Sequence, residues 1–125
     1  MSVGVILFAH GSRIEAANEA VRLAAAQLAH AGSFDHVAAA FLELGQPDLP
    51  GAVAELFASG VRRIVVVPYF LTLGLHMERD LPPLLQDISS KYNDLDLVAT
   101  PPLEGHPMLT EILLDRIRSA DDLGT

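Results

Sequence analysis

The sequence predicts an α/β fold: one four-stranded parallel sheet, strand order 2-1-3-4, with helices on both faces. Three observations carry this expectation. Short apolar runs of strand length alternate with segments of helical period in the pattern βαβαβαβα. The runs are apolar throughout, as strands covered on both faces are. At 125 residues the chain has the length of one domain with one buried core. Right-handed crossovers then make the sheet parallel, and the simplest order sets strands 1 and 3 side by side.

Each element has its own signal. Val3 to Ala9 is the first apolar run, broken by His10-Gly11-Ser12. Ser12 and Glu15 have the S-x-x-E spacing of a capping box. The helix behind them carries Ala17, Val21, Ala24 and Leu28 at helical spacing and is expected to stop at Gly32. Val37 to Leu42 is the second strand, with Glu43 just beyond it. Gln46 to Pro50 reads as a turn, and Asp48 as the cap of a helix over Ala52 to Ser59, closed by Gly60. Arg62 to Pro68 holds the third strand, centred on Ile64 to Val67. Tyr69 to Arg79 is then a connection of about eleven residues, long for its class. Asp80 caps a helix whose apolar face is Leu81, Leu84, Leu85 and Ile88. Leu95 to Ala99 is a short fourth strand, and His106-Pro107 opens a last helix with Leu109, Ile112, Leu113 and Ile117. One domain over 1–118 is expected, with 119–125 as a frayed tail.

Composition removes several classes of function. The net charge is −8 and the basic residues are scattered, which argues against a nucleic-acid partner. There is no cysteine, so disulfides, Fe–S clusters and thiolate metal sites are excluded. Any metal must use histidine, carboxylate or water. No apolar run approaches the ~20 residues of a membrane span. No cationic segment precedes the first apolar run, so no signal peptide is read and a cytoplasmic, membrane-free location is expected. Hydrophobic residues make up 50% of the chain. The mean hydropathy of +0.34 is high for a soluble monomer, and a subunit interface would use the excess.

Topology gathers the candidate residues. Ligands of open α/β sheets bind beyond the carboxyl ends of the strands, where the strand order reverses. His10 ends strand 1, and His76 lies on the connection after strand 3, so both fall on that rim. Gly11 leaves room for a ligand close to the backbone, and the helix start behind Ser12 favours an anion. The loop holding His76 is apolar (Tyr69, Phe70, Leu71, Leu73, Leu75), as ligand pockets tend to be. Glu43 ends strand 2 on the same rim and is a candidate proton acceptor or metal ligand. His106 also lies on this rim, but its place before Pro107 suits a cap or surface residue better. His30 and His36 fall on the opposite rim. Arg13 and Arg79, close to the two histidines in sequence, could draw a carboxylate-bearing substrate into an otherwise acidic protein.

Three segments together resemble a known family: His10-Gly11-Ser12-Arg13; Ala40-Phe41-Leu42-Glu43 with Pro47; and Val67-Pro68-Tyr69-Phe70-Leu71 followed by Gly74-Leu75-His76 and Asp80-Leu81-Pro82. In this order and at these spacings the chain resembles the short-form sirohydrochlorin chelatases, the cobaltochelatases of anaerobic cobalamin biosynthesis, which are related to the class II chelatases that include ferrochelatase. The likeness runs from about Val5 to Met108. It implies a chelatase-like fold and a lyase that inserts a divalent metal into sirohydrochlorin or a related tetrapyrrole, for cobalamin or siroheme. The metal is a substrate, with Co2+ expected before Ni2+ or Fe2+, and no organic cofactor is implied. His10 and His76 match the family's metal-binding histidines, and Glu43 an acidic position. Larger relatives hold two such domains across one cleft, so a single copy implies a homodimer.

The chemistry agrees with these residue types. Insertion strips water from the metal, removes two pyrrole protons and bends the ring. Neutral imidazole binds Co2+ or Ni2+ without thiolate, and imidazole or carboxylate can take a pyrrole proton. Ser12, Arg13 and Arg79 are the candidate substrate-binding residues. Two rival readings use the same residues: a phosphocarrier domain phosphorylated on His10, as in mannose-type sugar phosphotransferase domains, and a carrier of metal or tetrapyrrole without turnover. The first leaves His76 and Glu43 without a role.

Overall fold

The computed structural model describes residues 3–124, and the side chains of His76 and of residues 121–124 lie outside what it describes. The elements are β1 (Val3–Ala9), α1 (Glu15–Gly32), β2 (His36–Phe41), α2 (Leu49–Ala58), β3 (Arg63–Pro68), α3 (Leu75–Ser89), β4 (Asp96–Ala99) and α4 (Pro107–Gly124). The sheet has the expected order, β2-β1-β3-β4, with every pair parallel. β1 is central. Phe8 is opposite Ala40 on one side and Pro68 on the other, so the ends of β1, β2 and β3 are level.

The unbroken apolar pattern of β1 follows from burial on both faces. Ile6 and Phe8 point into a cluster with Leu49 and Val53 of α2 and Leu81 and Ile88 of α3. Leu7 and Ala9 point the other way, against Val21 and Ala25 of α1. β4 is short, and Met108, Ile112, Leu113 and Ile117 of α4 are exposed. α4 is helical in its backbone as far as Gly124, through most of the stretch read as a tail.

Several element boundaries move. The capping box does not form: α1 begins at Glu15 with Ile14 at the N-cap position and no side-chain cap bond. Ser12 stays outside the helix because the Asn18 amide takes both its backbone groups, and its hydroxyl accepts from the Ile14 amide at 3.0 Å. α1 includes Gly32, and Ser33, at φ 55 and ψ 42, makes the left-handed exit. Asp48 caps α2 as expected, its Oδ1 accepting from the Gly51 amide at 2.9 Å, but the helix starts at Leu49.

The largest change is in α3. It starts at Leu75 behind Gly74, so the connection after β3 spans only 69–74 and Asp80 lies inside the helix instead of capping it. The reason is packing. Met77 joins Leu81, Leu84, Leu85 and Ile88 against the larger cluster, which continues the apolar stripe upstream of the apparent cap. His76 is therefore the second residue of a helix, not part of a loop.

Candidate functional site

The rim begins where the ladder between β1 and β2 runs past the strands. The Leu42 amide donates to the Ala9 carbonyl at 2.9 Å and the Glu43 amide to the His10 carbonyl at 3.1 Å. The two strand-end loops are thus laced together, and His10 and Glu43 become neighbours. His10 Nε2 stands 3.7 Å from Glu43 Oε1, with both side chains about three-fifths exposed (63% and 59%). At that exposure the attraction is worth little to stability. Its meaning is geometric: an imidazole and a carboxylate facing one another in reach of solvent.

Gly11 makes this approach possible. Its φ is +96°, and a Cβ there would collide with the Glu43 carbonyl oxygen. The room expected for a ligand beside Gly11 is therefore occupied by the β2–α2 loop.

His10 stands at the wall of a cavity of about 570 Å3. Small-molecule sites commonly span about 300–1,000 Å3. Leu42, Phe70, Leu73, Met77 and Leu84 give it an apolar lining, while His10, Thr72 and Asp80 supply polar side chains. Phe70 meets the His10 ring edge-on, centroids 6.2 Å apart at 77°. The apolar connection after β3 thus forms part of the cavity, as its composition suggested. His76 lies between Gly74 and Met77, which both line the cavity, and its backbone belongs to the first turn of α3. The position of its ring is outside the described residues.

The other candidates are placed as follows. Arg13 is exposed on the β1–α1 loop. Arg79 is exposed on α3, its Nε 3.2 Å from Asp80 Oδ1. Neither arginine, nor Ser12, is among the described lining residues. His106 takes the capping role, its Nδ1 accepting from the Met108 amide at 3.1 Å. His30 lies in the last turn of α1 and His36 starts β2, away from this rim. Among the described residues, no three His, Asp or Glu side chains gather to hold a metal ion. No helix is long and apolar enough to cross a membrane, among the same residues.

Two residues were missed from sequence. Asp80 does not cap α3; it lies inside the helix and puts a carboxylate on the cavity wall. Asn18 is 1% exposed, and its side chain bonds to both strand-end loops. A signal for it existed: Asn18, Val21 and Ala25 share one helical stripe, so a polar residue occupies a core position. Beside it, Glu15 is held below the ordinary carboxylate value by hydrogen bonds from Arg22 first and then Asn18.

Comparison with known proteins bears on the family and the fold. A family model described as CbiX matches residues 4–120. The chain is similar to the sirohydrochlorin cobaltochelatase of Methanopyrus kandleri, 33% identical, with 94% of this chain and 96% of that one covered. A crystal structure of a CbiX protein from Marinobacter aquaeolei VT8 superposes with a TM-score of 0.81 at 26% identity, covering 96% of this chain and 98% of that one. The sirohydrochlorin chelatase SirB of Bacillus subtilis subspecies spizizenii, solved in complex with cobalt, shares the fold with a TM-score of 0.86 at 21% identity. This chain, 95% covered, spans 51% of SirB.

Proposed function

The chain belongs to the CbiX family, and on that premise we infer that it is a chelatase inserting a divalent metal into sirohydrochlorin or a related tetrapyrrole. One observation carries the reading: an imidazole, His10, on the wall of an apolar cavity, with the Glu43 carboxylate 3.7 Å away. Insertion exchanges two pyrrole protons for one metal ion. No electrons move, so no organic cofactor is needed. The apolar lining receives the face of a macrocycle, while His10 and Glu43 offer a metal ligand and a proton acceptor side by side.

In this mechanism His10, with His76 from the start of α3, holds the incoming ion. Imidazole nitrogens bind late first-row metals without the closed grip of thiolates, so the ion can be passed on. Glu43, or an imidazole freed of metal, accepts the pyrrole protons as the ring closes on the ion. Arg13 and Arg79 hold peripheral carboxylates of the substrate, with Ser12 assisting from the turn between His10 and Arg13. Co2+ is the preferred metal. The cobaltochelatase name of the Methanopyrus relative supports it, as does the nitrogen and oxygen donor set.

The working unit is a homodimer. Leu71 and Leu75, next in sequence to cavity-lining residues, are 67% and 82% exposed, and Ile14, just before α1, is 69% exposed. A second copy would cover this surface and close the cleft. Sedimentation at micromolar concentration should give twice the monomer mass, and monomer alone refutes the dimer.

The test of the function is the absorbance of sirohydrochlorin with Co2+, with and without the protein. Faster spectral conversion in its presence is the expected result. Protein that binds Co2+ and never speeds conversion acts as a carrier. Phosphoryl transfer to His10 from a phosphocarrier would overturn the reading in favour of the phosphotransferase one.

A further inference from the structure

We propose that Asn18 is a positioning residue of the site: its buried carboxamide sets the approach of Glu43 to His10. The inference rests on the chelatase reading for its kinetic consequence, but not for its geometry.

Asn18 is the buried polar residue of the described core, 1% exposed. Its Oδ1 accepts from the Ser12 amide at 2.9 Å. Its Nδ2 donates to the Ser12 carbonyl at 2.9 Å and the Leu44 carbonyl at 2.9 Å. A third contact reaches Glu15 Oε2 at 3.3 Å. Ser12 lies two residues after His10, and Leu44 one residue after Glu43. One side chain on α1 therefore ties the loop of the imidazole to the loop of the carboxylate.

The loop it ties needs holding. Leu44 has φ +59°, a left-handed conformation that a branched side chain rarely adopts. Such a residue persists only where its surroundings over-determine it. The Asn18 bond to the Leu44 carbonyl is one constraint and the Glu43 amide bond to the His10 carbonyl another, while Arg22 holds the far side of the loop through the Gln46 carbonyl at 3.0 Å. Gly45 adds a close fit, since a Cβ there would lie 3.2 Å from Asn18 Nδ2. Among the described residues Asn18 makes no hydrogen bond to His10 or Glu43, so it acts on both through backbone.

Removing the amide leaves three partly buried backbone groups without this partner, and the left-handed turn can relax. The Glu43 carboxylate then samples positions away from His10. A displacement on the order of 1 Å at a reacting group costs about 10²-fold in rate.

The experiment combines amide exchange with a mutant cycle. In Asn18→Ala, hydrogen exchange at the Glu43 amide should speed up tenfold or more, while amides of the β1–β3 ladder keep their protection. The kcat of cobalt insertion should fall about 10²-fold, and adding Glu43→Gln should cost far less than it costs in the wild type. An unchanged Glu43 amide overturns the proposal. So does a Glu43→Gln penalty that is equal in both backgrounds, because Asn18 would then act on stability alone. Should Asn18→Ala fail to fold, Asn18→Asp is measured in the same way; it keeps the size and the acceptor for Ser12 but removes both donors. If wild-type protein shows no insertion, the chelatase reading fails, and the exchange data alone decide whether Asn18 couples the two loops.

Discussion

Substituting Gly11 by alanine tests the closeness of the two strand-end loops most directly. Gly11 has φ +96°, and a Cβ on it would meet the Glu43 carbonyl, a backbone atom that cannot rotate aside. Two costs add. Holding an L side chain in a left-handed conformation costs about 1–2 kcal/mol. Clearing the collision pushes the Glu43 peptide away and opens its hydrogen bond to the His10 carbonyl, now 3.1 Å, at about 1 kcal/mol. The total, about 2–3 kcal/mol, corresponds to a fall of about 8–12 °C in Tm for a chain of this length. Urea unfolding followed by circular dichroism should show a lower midpoint at unchanged slope. Because Glu43 moves relative to His10, cobalt insertion should also slow by about 10²-fold at temperatures where the variant is folded. A loss of stability below about 0.5 kcal/mol would mean that the loops have slack. Full activity in a clearly destabilised variant would mean that the His10–Glu43 spacing does not matter to the reaction.

Further outcomes follow from the same geometry. His10→Ala and His76→Ala should each lower Co2+ affinity on the order of 10–100-fold in a spectroscopic titration; unchanged affinity in both removes them as metal ligands. Glu43→Gln should lower kcat by about 10²–10⁴ with KM little changed, whereas Arg79→Ala should mainly raise the KM for the tetrapyrrole. Asp48→Ala removes the side-chain cap bond to the first turn of α2 and should cost about 1 kcal/mol in urea unfolding. The Glu15 carboxyl is held below its ordinary value of 4.5, chiefly by the bond from Arg22. A lowered carboxyl stabilises the folded state above its unfolded value, and this contribution disappears as pH falls through the folded one. Glu15→Gln should therefore flatten stability against pH below 4.5, and an unaltered acid limb would refute that link.

The sheet was legible from sequence because it depends on few variables. Four apolar runs and the handedness of the crossovers leave one simple order, and that order puts His10, Glu43 and the start of α3 on one rim. The helix starts were less legible, for different reasons. Ser12 and Glu15 have the spacing of a capping box, yet a residue three positions further on holds the Ser12 backbone, and a local pattern does not register that competition. At α3 the misleading feature was Asp80, a good cap, with Pro82 and Pro83 following it in sequence. The structure keeps both prolines inside the helix because burial of Met77 draws its start back to Leu75. The Gly74 N-cap makes no side-chain bond, so nothing polar marked that start. The cavity face of Asp80 was hidden by the same error, since a residue placed ahead of the helix has no helical face.

Phe70 has a mechanical consequence. Its ring abuts Phe8, which is fully buried, at 6.3 Å and 86°, and the peptide around it is pinned at both ends: the Tyr69 amide to the Phe8 carbonyl at 2.7 Å and the Phe70 carbonyl to the Leu103 amide at 3.2 Å. The wall of the cavity is thus backed by the close-packed core, which has low compressibility. If the proposed chelatase reaction holds, a flat guest pressed against this backstop would have to take up the deformation itself, because the wall behind it yields little. The elasticity of the core would then enter the reaction. Trimming Phe8 would soften that wall without altering His10 or Glu43 in sequence.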